Sequence, residues 1–189
     1  MEHKMYRHIP NALTILRFLL VPVFLYALFI CKESYCMPLS LFIFIVASLT
    51  DYVDGYLARK WEVISDFGKI MDPLADKLLV LSALVGLTYL APFHLHPLIL
   101  IIIFVRETGI TILREVFHRK GIVVAADKLG KLKTVMQMFG IIFALTMMAY
   151  VPAVSSGVIT GVRIWFWLVV GITLFSGLNY LKALLPKEA

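Results

Sequence analysis

The sequence predicts an all-α integral membrane protein, a six-transmembrane-helix bundle forming a single domain over residues 1–189. Two observations carry this. Of the 189 residues 61% are hydrophobic and only 16% are charged, with a mean hydropathy of +0.90, which excludes an ordinary soluble domain and a disordered chain. The residues also fall into long uncharged stretches: Phe18 to Cys31, Ser34 to Thr50, Leu78 to Val105, Thr134 to Val162 and Ile164 to Leu181, of 14, 17, 28, 29 and 18 residues. About 20 apolar residues cross a bilayer core, so the chain reads as a multi-pass bundle that does its work within the bundle or at its rim.

Breakers and charges set the boundaries of the six helices at 9–31, 37–58, 68–91, 97–118, 133–152 and 160–182. The first follows Lys4 and Arg7 in the manner of a signal peptide, but no small-x-small cleavage site follows it and it is expected to stay. Cys31, preceded by Phe29 and Ile30, is no lipoprotein cysteine. With Cys36 it flanks a short polar loop; two cysteines make no framework, and no bridge between them is expected. Pro92 and Pro97, with His94 and His96 between them, divide the 28-residue stretch into the third and fourth helices, and Pro152, Ser155, Ser156 and Gly157 end the fifth. His94-x-His96 lacks an acidic partner and is not read as a metal site. Trp61, Trp165 and Trp167 read as interfacial anchors or packing residues.

Basic residues collect in cytoplasmic loops. With the N-terminus inside, the inner side carries Lys4, Arg7, Arg59, Lys60, Lys69, Arg106, Arg114, Arg119, Lys120, Lys128, Lys131, Lys133, Lys182 and Lys187, and the outer side only Lys32 and Arg163. Both termini and the active site are therefore expected in the cytoplasm. The net charge of +6 then meets anionic lipid or an anionic soluble substrate. Nucleic acid is a poor reading, because no soluble module presents the cations.

Four aspartates stand out. Asp51 and Asp54 are three apart and Asp72 and Asp76 four apart, so each pair shares one face of its helix, and a nine-residue loop lets the pairs meet. One acidic residue already costs about 2.5–3.5 kcal/mol on membrane-insertion scales. Four carboxylates therefore call for counter-charge, and two divalent ions balance them. Hard oxygen donors favour Mg²⁺ or Mn²⁺ over zinc. Gly55, Ala58 and Gly68 lie four residues from Asp51, Asp54 and Asp72 and leave room for a ligand near the backbone, while Arg59 can bridge phosphate oxygens. A metal-bound diphosphate fits these residues. Asp72 before Pro73 also suits an N-cap, and Gly55 and Ala58 also suit helix packing; capping and packing do not require the whole set.

The spacing D-x2-D-G-x2-A-R-x8-G-x3-D-x3-D, filled by Asp51, Asp54, Gly55, Ala58, Arg59, Gly68, Asp72 and Asp76 over 26 residues, resembles the signature of the CDP-alcohol phosphatidyltransferases. That resemblance implies a six-helix membrane enzyme, a homodimer, that splits the diphosphate of a CDP-linked lipid and passes the phosphatidyl group to an alcohol, releasing CMP. It implies that Asp51, Asp54 and Asp72 are ligands of a metal pair, that Asp76 completes the site and is the general base, and that Gly55, Ala58 and Arg59 receive the CDP portion.

The acceptor has to be read outside the signature. Arg106, Arg114, Arg119, Lys120, Lys128, Lys131 and Lys133 lie close in sequence at the cytoplasmic surface. An anionic acceptor finds charge there, whereas a choline-like cation would want an aromatic cage. Arg114, Lys131 and Lys133 are assigned to acceptor phosphate, with Arg106 a further candidate although Glu107 beside it offers a local ion partner. Arg119, Lys120 and Lys128 are left to lipid headgroups. Gly130-Lys131 fails the P-loop pattern, with Ala125 and Leu132 at two of its fixed positions.

Asn11-x2-Thr14-x2-Arg17, Arg106-Glu107, Arg114-Glu115, and Lys120-Gly121-Ile122-Val123-Val124-Ala125-Ala126 followed by Gly130-Lys131-Leu132-Lys133-Thr134 are similar to the bacterial phosphatidylglycerophosphate synthases within that family. This implies CDP-diacylglycerol as donor, sn-glycerol 3-phosphate as acceptor and the bacterial inner membrane as location. Asn11, Thr14 and Arg17 recur at three-residue intervals and either line the nucleotide site or serve the fold, Arg17 by snorkelling to headgroups. Two alternatives stand beside this reading. One is transfer to serine, an inositol phosphate or phosphatidylglycerol. The other is a cation transporter using the aspartates, in which Gly55, Ala58 and Arg59 have no role.

Overall fold

A computed structural model describes residues 8–60, 66–119 and 128–184, with side chains described at 15–50, 74, 77–117 and 129–181. Among the described residues every regular element is helical. Helix α1 is His8–Leu25, prolonged by a π-helical turn over Tyr26–Ile30. The others are α2, Cys36–Lys60; α3, Asp66–Tyr89; α4, Pro97–Arg119; α5, Lys128–Tyr150; and α6, Ser156–Leu184.

Local chemistry explains the boundaries. Pro97 opens α4, where a missing N–H costs nothing, and His96 caps it: Leu98 N–H donates to His96 Nδ1 at 3.2 Å. Ser155 caps α6 by accepting from Val158 N–H at 3.5 Å. Helix α5 begins at Lys128, five residues ahead of the expected start at 133, because Lys131 and Lys133 are good helix formers and charge does not break a helix. Gly130 and Lys131 thereby become helical. The loop between the aspartate pairs also contracts, since α2 runs on to Lys60 and α3 starts at Asp66.

The structure corrects the expectation for the cysteines. Cys31 N–H donates to Tyr26 O, closing the π-helical turn at 2.9 Å, and Cys36 N–H donates to Glu33 O at 3.0 Å. The short loop so folded brings the two Cα atoms to 5.9 Å, and Cys31 and Cys36 form a disulfide. Sequence spacing carries no trace of that turn.

The chain divides into two compact units. The first comprises Met1–Gly86 and Leu145–Pro152. Its core includes Phe24, Ala27, Leu28, Phe44 and Ala47; the rings of Phe24 and Phe44 lie 6.0 Å apart, tilted by 47°. Gly86 lets α3 approach the π-helical turn, since a Cβ there would stand 2.5 Å from Leu28 Cδ2.

The second unit comprises Leu87–Ala144 and Ala153–Ala189. Within it α4 and α6 run parallel: Arg163 Nε donates to Phe93 O at 2.8 Å near their starts and Arg106 Nη2 to Ser176 Oγ at 2.9 Å further along. Helix α5 packs antiparallel to α6. Trp165 Nε1 donates to Met136 O at 3.0 Å, and a Cβ on Gly140 would meet the Trp165 indole at 2.8 Å. Ile99, Ile103, Ile141, Phe166 and Val169 fill the core.

Many large apolar side chains face outward instead, among them Leu19, Phe42, Val105, Val135 and Leu168, as surfaces solvated by lipid do. Among the described residues two helical segments are long and apolar enough to cross a membrane, Leu129–Tyr150 and Ser156–Leu181, with shorter apolar segments at Ile15–Ile30, Cys36–Thr50 and Lys77–Tyr89. Helix α4 carries four charged residues within its span, Arg106, Glu107, Arg114 and Glu115.

Candidate functional site

The acidic half of the expected site lies on two consecutive helices. Asp51, Asp54, Gly55, Ala58 and Arg59 are on α2, and Gly68, Asp72 and Asp76 on α3. The side chains of this set lie outside the described residues, as do those of Asn11 and Thr14 on α1. Arg17 is described and fully buried, so it does not snorkel to headgroups.

The basic half is described in detail. In the second unit α4, α5 and α6 enclose a cavity of about 410 Å³ lined by Arg106, Glu107, Ile110, Thr111, Arg114, Gly130, Lys131, Lys133, Thr134, Val135, Ser176 and Tyr180. Helical spacing explains the gathering: Arg106, Ile110 and Arg114 recur at four-residue intervals on α4, as do Ser176 and Tyr180 on α6. All four acceptor-phosphate candidates, Arg106, Arg114, Lys131 and Lys133, line this one cavity. Lys120 lies outside the described residues, as do the side chains of Arg119 and Lys128.

Glu107 organises the cations. Its Oε1 pairs with Lys133 Nζ and stands 3.7 Å from Arg106 Nη1. Lys133 is only 3% exposed, and a buried ammonium requires such a partner. Arg106 reaches across to Ser176, and its stem passes α6 at Gly177, where a Cβ would stand 3.6 Å from Arg106 Cγ. Arg114 lies over the Tyr180 ring, 5.8 Å from its centroid. The hydroxyls of Thr111 and Thr134 turn back to their own helices, bonding Glu107 O and Gly130 O at 2.9 and 3.1 Å.

Two lining residues escape a reading by charge. Ser176 is buried and bonds Arg106. Tyr180 is 4% exposed, and its enclosed hydroxyl meets no protein hydrogen-bond partner among the described residues. Buried hydroxyls are nearly always satisfied, and Tyr180 lines the basic cavity beside Arg114. Sequence alone gives no signal for them, because their place beside the cations depends on α6 lying against α4.

The cavity carries four cations and one carboxylate, a strongly positive balance. Its volume lies within the range of about 300–1,000 Å³ usual for small-molecule sites. It suits a small, polar, anionic ligand.

Comparison with known proteins agrees with this chemistry. The CDP-alcohol phosphatidyltransferase family profile matches residues 7–175. A protein of Rickettsia typhi named CDP-diacylglycerol–glycerol-3-phosphate 3-phosphatidyltransferase is 34% identical over 181 residues, 94% of this chain and 97% of the relative. A Bacillus subtilis protein of the same name is 40% identical over 148 residues, 71% of this chain and 74% of the relative. One from Mycoplasma genitalium is 39% identical over 127 residues, 67% of this chain, and that match spans 52% of the relative's length.

Proposed function

The chain belongs to the CDP-alcohol phosphatidyltransferase family, and on that premise we propose that it passes the phosphatidyl group of CDP-diacylglycerol to sn-glycerol 3-phosphate, giving phosphatidylglycerophosphate and CMP. The names of the Rickettsia and Bacillus relatives support this. The observation that carries the choice of acceptor is the convergence of Arg106, Arg114, Lys131 and Lys133 on one cavity. A phosphate monoester bears about −1.5 to −2 charges at neutral pH, which this excess of cations offsets. Lys133 and Arg106 are held ready by Glu107, and Arg114, set against Tyr180, can take two phosphate oxygens at once. The Tyr180 hydroxyl donates to a further oxygen of the acceptor.

In the proposed reaction the acceptor hydroxyl oxygen forms a bond to the phosphatidyl phosphorus as the P–O bond to CMP breaks. Asp76 takes the hydroxyl proton. Arg59 holds diphosphate oxygens, with Asn11, Thr14 and Arg17 on the nucleotide side and Gly55, Ala58 and Gly68 leaving room for the CDP portion. Four carboxylates at helical spacing on α2 and α3 are a hard oxygen donor set that fits two divalent ions, Mg²⁺ or Mn²⁺. Asp51, Asp54, Asp72 and Asp76 would hold them, and when bound they supply neutralisation of the charge that builds on the leaving CMP.

The same reading makes the chain one integral membrane domain of six spans, a homodimer in the bacterial inner membrane with both termini and the site on the cytoplasmic side. The test is to supply glycerol 3-phosphate labelled in its phosphate together with CDP-diacylglycerol. The label is expected to enter lipid with release of unlabelled CMP, and to stop doing so in a chelator until divalent metal is restored. Label remaining in the aqueous phase, with CMP released to another acceptor, would reassign the acceptor; flux of cations in liposomes free of CDP-lipid would favour a transporter.

A further inference from the structure

A second cavity, of about 470 Å³, lies elsewhere in the second unit, where the turn before α4 meets the beginning of α6. Tyr89, His94, His96, Arg163 and Trp167 supply its polar and aromatic lining, and no carboxylate is among its lining residues. Arg163 and Ser176 are thirteen residues apart on α6, so this cavity is about 20 Å along the helix from the acceptor pocket and takes no part in it.

Two of these side chains are fixed by backbone hydrogen bonds. Arg163 Nε donates to Phe93 O at 2.8 Å, which fixes the guanidinium plane and leaves the two Nη groups for a ligand. His96 Nδ1 accepts from Leu98 N–H at 3.2 Å, so the neutral ring carries its proton on Nε2, as a donor. His94 occupies the turn with φ of 43°, a conformation that favours glycine, yet the position holds an imidazole at the cavity. A metal ion is a poor occupant, because the lining offers no carboxylate, one imidazole nitrogen is engaged by a backbone N–H, and Arg163 repels a cation.

Arg163, His94 and His96 line one cavity with no carboxylate among its described lining residues, which suits an oxyanion. The surroundings suit an amphiphile: Trp167, its ring 6.0 Å from that of His96, is 44% exposed and Tyr89 64%, the disposition of aromatic side chains at a membrane–water boundary. We propose that this cavity is a phosphate site for a phospholipid headgroup, with the phosphate between Arg163 and the two imidazoles and the glycerol and acyl portions against Trp167 and Tyr89. The chemistry recognised is a phosphate ester anion, and free phosphate shares it.

The test is native mass spectrometry of the full chain in detergent with dihexanoylphosphatidylglycerol, dihexanoylglycerol and inorganic phosphate. The phospholipid is expected to stay bound, the phosphate-free glyceride not. Arg163→Gln is expected to weaken phospholipid binding about tenfold or more, the effect of one charge-assisted contact. His94→Gly, which relieves the positive φ and leaves the bond from Arg163 to Phe93 in place, is expected to weaken it by a smaller factor and serves if Arg163→Gln fails to fold. Displacement of the lipid by millimolar phosphate would support a site for phosphate from either source, and retention of the lipid would support the lipid ester alone. Equal phospholipid binding by wild type and both variants, or equal binding of the glyceride, would overturn the proposal. The assay uses neither CDP-lipid nor turnover, so its outcome is independent of the proposed reaction.

Discussion

Replacing Lys133 by alanine should raise the KM for glycerol 3-phosphate far more than replacing Lys131, although the two are neighbours in sequence. Lys133 is buried and ion-paired with Glu107, whereas Lys131 is exposed. A hydrogen bond to a charged group that is shielded from water contributes about 1.5–3 kcal/mol. At 1.4 kcal/mol per tenfold this makes the acceptor KM of Lys133→Ala about 10- to 150-fold higher. An exposed pair contributes about 0–1 kcal/mol, so Lys131→Ala should change the same constant by about fivefold at most. Loss of one member of a buried ion pair typically costs about 3–5 kcal/mol of stability. Here Arg106 stays 3.7 Å from Glu107 and compensates its charge, so Lys133→Ala should fold, with a reduced Tm. Initial rates of CMP release with each substrate varied in turn give both constants. Equal effects of the two substitutions on acceptor KM, or an effect of Lys133→Ala confined to CDP-diacylglycerol, would refute the reasoning.

Tyr180→Phe removes a buried hydroxyl that has no protein partner among the described residues, so thermal unfolding should show no loss of stability, while acceptor KM rises roughly 2- to 13-fold, equivalent to about 0.5–1.5 kcal/mol; a fall in Tm with unchanged KM would make the tyrosine a packing residue. Asp76→Asn should lower turnover by about 10²–10⁴-fold, the usual contribution of a general base, with CDP-diacylglycerol still bound in equilibrium dialysis; near-normal turnover would remove it from that role. Gly140→Ala sets a Cβ 2.8 Å from Trp165 Cδ1 and Nε1, so the indole must move and strain its bond to Met136 O; a loss of about 1–3 kcal/mol, typical of overpacking, should appear as a lower Tm, and an unchanged Tm would mean that the interface adjusts freely.

The helices were legible because hydropathy and breakers act locally. Pro97, Pro152 and Ser155 mark ends that the backbone then uses. Charge marks a boundary poorly, as at Lys128–Lys133, since a lysine ends an apolar run without ending a helix. The cations of the basic cavity are legible as a cluster because four-residue spacing on α4 carries over into space. Ser176 and Tyr180 were not, because their meaning depends on α6 lying beside α4, a tertiary fact that no local pattern encodes. The Cys31–Cys36 bridge was missed for the same reason at shorter range: it depends on a π-helical turn and loop that set the Cα separation. Arg17 shows the reverse case, where two readings were open from sequence and complete burial removes snorkelling.

The central claim is tested most directly by CMP release from purified protein in detergent with CDP-diacylglycerol and Mg²⁺, comparing glycerol 3-phosphate, serine, inositol phosphate and phosphatidylglycerol in parallel. Release with glycerol 3-phosphate alone, accompanied by phosphatidylglycerophosphate in the lipid fraction, is the predicted result. Release with any other acceptor but not with glycerol 3-phosphate would contradict the reading of the basic pocket, and no release with any of them would contradict the reaction itself.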